Sequence, residues 1–220
     1  MKFISHLLSI VLHPVFIPLY GLLLYTNIKH GSTLNLRMLN NIDYFKLALS
    51  PVLLFSIVFP LFSLMIMYRS KMITSFRVEN QKERIPVLFL SCIYYGITYY
   101  FVRSLDIAYY HSFFGLFLSF LTGGILLALT SLIITTRWKI CLHGIGIGAL
   151  AGGFLAFSQE MQPMTNFKEV TNINILLIAL VGVLASSRLI LKAHSINQVI
   201  IGSLLGVVTE YVVVSNHFWI

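Results

Sequence analysis

Arg188, His194 and Gln198 stand within the stretch Ser186 to Gln198, which separates two long apolar runs, Ile173 to Leu184 and Val199 to Val214. A neutral imidazole is nucleophilic near pH 7, and a guanidinium presents a planar fork of donors that suits phosphate oxygens. If a helix begins near His194, Gln198 lies one turn on and on the same face. Its amide oxygen then accepts from one ring nitrogen and frees the other for chemistry. An arginine near the bilayer centre costs about 2.5–3.5 kcal/mol even on the gentler scale, so such groups mark an interface or a working site. A short basic connector at headgroup level would use the same residues.

Two further stretches carry chemistry. Residues 68–86 hold Arg69, Lys71, Arg77, Glu79, Lys82, Glu83 and Arg84. Helical geometry places Arg77, Gln81 and Arg84 on one stripe, with Glu79 and Glu83 turned away to pair with Lys82 or face water. Two guanidiniums on one stripe would hold phosphate, and a solvated basic loop is the plain alternative. The third stretch is Arg137 to His143, followed by Gly144, Gly146, Gly148, Gly152 and Gly153. His143 opens a helix, where free backbone amides attract an anion. Gly144, Gly148 and Gly152 recur every fourth residue and read as a packing face for another helix.

The elements that must position these residues are membrane helices. Of 220 residues, 58% are hydrophobic and 10% charged, with mean hydropathy +0.88. Soluble domains carry about 25% charged residues, so the chain reads as an integral membrane protein. Seven apolar stretches are expected at roughly 3–27, 44–67, 87–103, 113–136, 141–158, 173–191 and 195–215, and only helices satisfy their backbone in lipid. Residues 87–103 are short and rich in tyrosine, which predicts an interfacial or tilted helix. Pro14 and Pro18 interrupt the first run, which reads as an uncleaved helix, with His13 and Pro14 either lining the bundle interior or, on the plainer reading, simply packing. Cys92 and Cys141 sit in or beside apolar segments and imply no disulfide framework.

An even number of crossings separates each polar stretch from the next, so all three are expected on one face together with the N-terminus. Of the 15 Lys and Arg residues, ten fall on that face and five on the other. Net charge is +8, and the basic residues gather beside apolar runs. That distribution favours anionic headgroups or a phosphorylated ligand over nucleic acid.

The three stretches together resemble the type 2 phosphatidic acid phosphatase superfamily of membrane lipid phosphatases. Its motifs are Lys-x6-Arg-Pro, Pro-Ser-Gly-His and Ser-Arg-x5-His-x3-Asp. Here Arg77-x6-Arg84-Ile85-Pro86 is similar to the first, with Arg for Lys and one inserted residue. Ile140-Cys141-Leu142-His143 is similar to the second in its His. Ser187-Arg188-x5-His194-x3-Gln198 matches the third at every spacing, with Gln for Asp. The resemblance covers about 77 to 198.

Length and hydropathy predict a single all-α, polytopic membrane bundle of about six to seven transmembrane helices over residues 1–220, and the resemblance implies a motif core of that family's fold at about 77–215. It implies hydrolysis of a lipid phosphate monoester or pyrophosphate through a phosphohistidine on His194, with His143 as acid and Gln198 orienting the nucleophile. Arg77, Arg84, Arg188, Cys141 and Ser187 would hold the phosphate, without metal or cofactor. The partners would be membrane lipids and a phosphorylated lipid substrate, in a bacterial inner membrane. A non-catalytic lipid-phosphate binder of the same fold and an unrelated small transporter are the competing readings.

Overall fold

The computed structural model describes residues 2–27, 42–78, 80–106, 114–160 and 167–218. Those residues form nine α-helices and no strand. The helices are α1 (Lys2–Val11), α2 (Ile17–Asn27), α3 (Ile42–Leu53), α4 (Phe59–Arg69), α5 (Gln81–Leu105), α6 (Gly115–Thr135), α7 (Leu142–Glu160), α8 (Phe167–Ile190) and α9 (Ile196–Ser215). Among the described residues, seven segments are long and apolar enough to cross a membrane. Many of their apolar side chains, such as Leu61, Ile133, Ile178 and Leu204, face outward, as lipid-facing side chains do. The described residues are all-helical, and their seven long apolar segments are consistent with a multi-pass membrane protein.

Two of these segments are broken helices. The first run is not one helix: it divides at His13, where Pro14 opens a short 3-10 turn to Phe16 and the His13 ring accepts a hydrogen bond from the Val15 amide. In the second, α3 passes into a π-helical turn, Leu54–Val58, before α4. Pro60 lies just beyond it and crowds the carbonyl four residues earlier, which accounts for the widened turn. The tyrosine-rich segment is a full helix of 25 residues rather than a short interfacial one. Its charged first turn lowers the hydropathy without ending the helix.

The middle of the bundle is α7, whose apolar window is 78% buried against 17% for that of α8. Its glycines bring α9 into backbone contact. A Cβ at Gly148 would collide with the Ser203 carbonyl oxygen, and one at Gly152 with that of Val207. Gly202 and Gly206 of α9 reciprocate against Cys141 and Ile145. The expected packing face is therefore real, and it is two-sided. It fixes the start of α9, and with it His194, against the start of α7, which carries His143.

Candidate functional site

His194 is set by the turn that joins α8 to α9. Lys192 takes a left-handed conformation, φ 51°, while Ala193 and Lys192 donate back to the carbonyls of Arg188 and Leu189. This closes the C-terminus of α8 and reverses the chain. Ser195 then caps α9: its hydroxyl accepts from the Gln198 amide at 3.4 Å, and Gln198 Oε1 accepts from the Ser195 amide at 3.2 Å. The second bond fixes which end of the Gln198 side chain is oxygen. The same oxygen lies 2.9 Å from His194 Nδ1, so Nδ1 carries the proton and Nε2 keeps its lone pair. His194 is 8% exposed. Burial holds its pKa down to about 4, against an ordinary 6.5, with Arg84, Arg188 and Lys139 adding to the effect and the Gln198 bond opposing it. The ring is neutral at physiological pH.

Arg84, on α5, is buried. Its Nε donates to the Val78 carbonyl at 2.9 Å and Nη1 to that of Ile140 at 3.0 Å. It thereby ties the loop before α5 to the loop before α7. The expected helical stripe does not form: α5 begins at Gln81 with Asn80 as its cap, and Arg77 lies in the preceding loop. Gln81 instead donates to the Thr135 carbonyl at 2.7 Å. Glu83 accepts from Thr74 and Asn80, and Glu79 lies outside the described residues.

One cavity of about 200 Å³ is lined by Arg77, Arg84, His143, Arg188 and His194 together. The three polar stretches therefore meet. Two expected phosphate ligands do not line that cavity. Cys141 is fully buried, and its sulfur accepts from the Gly144 amide at 3.4 Å as a cap of α7. Burial raises the pKa of its thiol, with the Gly144 bond and the nearby arginines opposing. The Ser187 hydroxyl donates to the Val183 carbonyl of its own helix at 2.9 Å.

The first helix adds Ser9, which the sequence reading did not place at the site. The Ser9 hydroxyl accepts from Arg188 Nη1 at 3.1 Å. The Ser9 carbonyl accepts from His143 Nε2 at 3.0 Å, which leaves Nδ1 as the second functional nitrogen of that ring. His13 also lines the cavity, with its ring edge-on to His143 at a centroid distance of 5.1 Å. Of the two readings of His13, the structure shows the one in which it lines the interior. Ser5, Ser9 and His13 recur every fourth residue in an apolar run, which is the signal that marks them.

The remaining walls are mostly apolar and include Pro18, Leu88, Phe120 and Leu127. No group of three or more metal-ligating side chains occurs among the described residues. No protein-family model, curated protein or solved structure matches the chain. The family resemblance rests on the motif residues alone.

Proposed function

We propose that the chain is a membrane phosphatase that cleaves phosphate from a lipid phosphate or pyrophosphate through a phosphohistidine on His194. The observation that carries this reading is the convergence of two imidazoles and three guanidiniums on one cavity whose other walls are apolar. That contrast suits an amphiphile with an anionic head. The phosphate would meet Arg77, Arg84 and Arg188, and the chain would follow the apolar walls.

In the reaction, Nε2 of His194 attacks phosphorus in line with the bond to the leaving oxygen. The P–N bond forms as the P–O bond breaks, and His143, entering the cycle protonated on Nδ1 while its Nε2–H stays on the Ser9 carbonyl, gives the Nδ1 proton to the leaving oxygen. Water then attacks the phosphohistidine, His143 takes the water proton, and P–N cleavage releases phosphate. The guanidiniums hold charge that spreads over the equatorial oxygens. Gln198 orients the nucleophile by hydrogen bond but offers no charge to the imidazolium-like ring, so the enzyme is expected to be slow.

The test is phosphate release by purified protein from phosphatidate and from a polyprenyl pyrophosphate, with His194→Ala as control. Release by wild type, lost in the variant, is expected, with radiolabel from the phosphate retained on wild-type protein only. Equal release by both proteins overturns the mechanism. Binding of phosphatidate by both, with release by neither, would identify a non-catalytic binder.

A further inference from the structure

Glu210 is the one acidic residue of α9, and the reaction above leaves it without a role. It is 1% exposed, and neither carboxyl oxygen has a hydrogen-bond partner among the described residues. It nevertheless lines the same cavity as Arg84, Arg188 and His194. Twelve residues of helix separate it from Gln198, a rise of roughly 18 Å, so it stands deep in the bundle. The neighbouring helices are cut to receive it. A Cβ at Gly123 of α6 would overlap the carboxyl group, and one at Gly153 of α7 would come within 3.2 Å of Glu210 Cγ. An acidic side chain inside a membrane bundle is costly and normally has a functional partner. A buried carboxyl that the protein itself leaves unpaired calls for a partner from the ligand.

We propose that Glu210 is a recognition site for a hydroxyl group carried within the apolar chain of the ligand. The inference rests on the reading that the phosphate head lies at the arginines. A hydroxyl both donates and accepts, so it pairs with a carboxyl group in either protonation state. A site built around such a group discriminates strongly against the analogue that lacks it, because the protein's own polar group is then left unmet. The preferred substrate class is thus an amphiphilic phosphate with a hydroxyl well down its chain, rather than one with a purely hydrocarbon tail.

The experiment measures calorimetric binding of 12-hydroxydodecyl phosphate and of dodecyl phosphate to the full chain in nanodiscs. Wild type should favour the hydroxylated probe by about tenfold or more. The preference should collapse in Glu210→Leu and in Gly123→Ala, which displaces the carboxyl group, and should persist within a few-fold in Glu210→Gln. Glu210→Leu should also melt at a higher temperature, since it removes an unpaired buried polar group. A wild-type ratio near one, or a ratio unchanged in both Glu210→Leu and Gly123→Ala, overturns the proposal. Because binding is measured without turnover, a protein that prefers the hydroxylated probe yet releases no phosphate would sink the phosphatase reading and leave this one standing. Phosphate release with no preference would do the reverse.

Discussion

Nη1 of Arg188 lies 3.1 Å from the hydroxyl of Ser9, so the last turn of α8 is held by the first helix of the chain. The carbonyl of the same serine anchors His143. Ser9→Ala removes the side-chain acceptor and keeps the backbone one. The expected result is weaker vanadate inhibition by about five- to thirty-fold, since a hydrogen bond to a charged group contributes about 1–2 kcal/mol here. Ser9→Thr should retain most of the affinity. Vanadate affinity unchanged in Ser9→Ala would mean that Arg188 is positioned without α1.

Arg84 is a structural tie as well as a candidate phosphate ligand. Lys at this position keeps the charge but cannot donate to the Val78 and Ile140 carbonyls at once. Arg84→Lys should lower the melting temperature, because a buried carbonyl left unpaired costs about 1–3 kcal/mol. Arg77 is exposed, and Arg77→Lys should cost less stability than Arg84→Lys. Equal melting temperatures for Arg84→Lys and wild type would count against the tie.

The contact of α7 with α9 has no room for a methyl group at Gly152, where a Cβ would collide with the Val207 carbonyl oxygen. Gly152→Ala must push the two helices apart, at a cost of about 1–3 kcal/mol typical of overpacking. At Gly182 a Cβ would meet no atom within 4 Å, so Gly182→Ala is the control. Thermal unfolding in detergent distinguishes them: only Gly152→Ala should lose stability.

The seven spans were legible in the sequence because each is a long apolar window, and crossing parity was enough to anticipate that the polar stretches meet. The spacing of His194 and Gln198 also gave their contact, since it spans a single turn. Ser9 was harder to read. Two of its partners lie 134 and 179 residues away, while the bond a serine in a membrane helix most often makes is to its own backbone, as Ser187 does and as Ser9 also does to the Ser5 carbonyl. For Cys141 the sequence left out a competing use of the same side chain: the nearby Gly144 amide donates to the sulfur as a helix cap. Glu210 was visible as an acid in an apolar run, but only the fold brings it to the cavity.

The pH dependence follows from His194. Burial holds its folded pKa at about 4, below the ordinary 6.5. Between those values the unfolded chain binds the proton more readily than the folded one, so stability rises with pH there. This contribution is fully present above about 6.5 and is lost as pH falls toward about 4. A protonated ring cannot attack phosphorus, so kcat/KM should fall on the acid side only near pH 4. An acid limb near 6.5 would contradict the buried, neutral imidazole.

Gln198 supplies the last prediction, because its oxygen touches both the nucleophile and the cap of α9. Glu has the same reach as Gln, so Gln198→Glu can keep the contacts to His194 Nδ1 and the Ser195 amide while adding a charge. That charge lies in the first turn of α9, where the helix dipole favours it. It also stabilises the positive ring that forms as Nε2 bonds to phosphorus. A charge-assisted bond exceeds a neutral one by about 0.5–2 kcal/mol, which corresponds to roughly a two- to thirty-fold faster phosphoryl transfer. The same charge should raise the His194 pKa and move the acid limb to higher pH. Gln198→Asp adds the charge on an arm one methylene shorter, so comparing the two separates charge from reach. The measurement is the initial rate at saturating lipid phosphate, with pH profiles, for wild type, Gln198→Glu, Gln198→Asp and His194→Ala. A faster Gln198→Glu enzyme with a shifted acid limb is expected. Identical residual rates in all four proteins would mean that His194 is not the nucleophile.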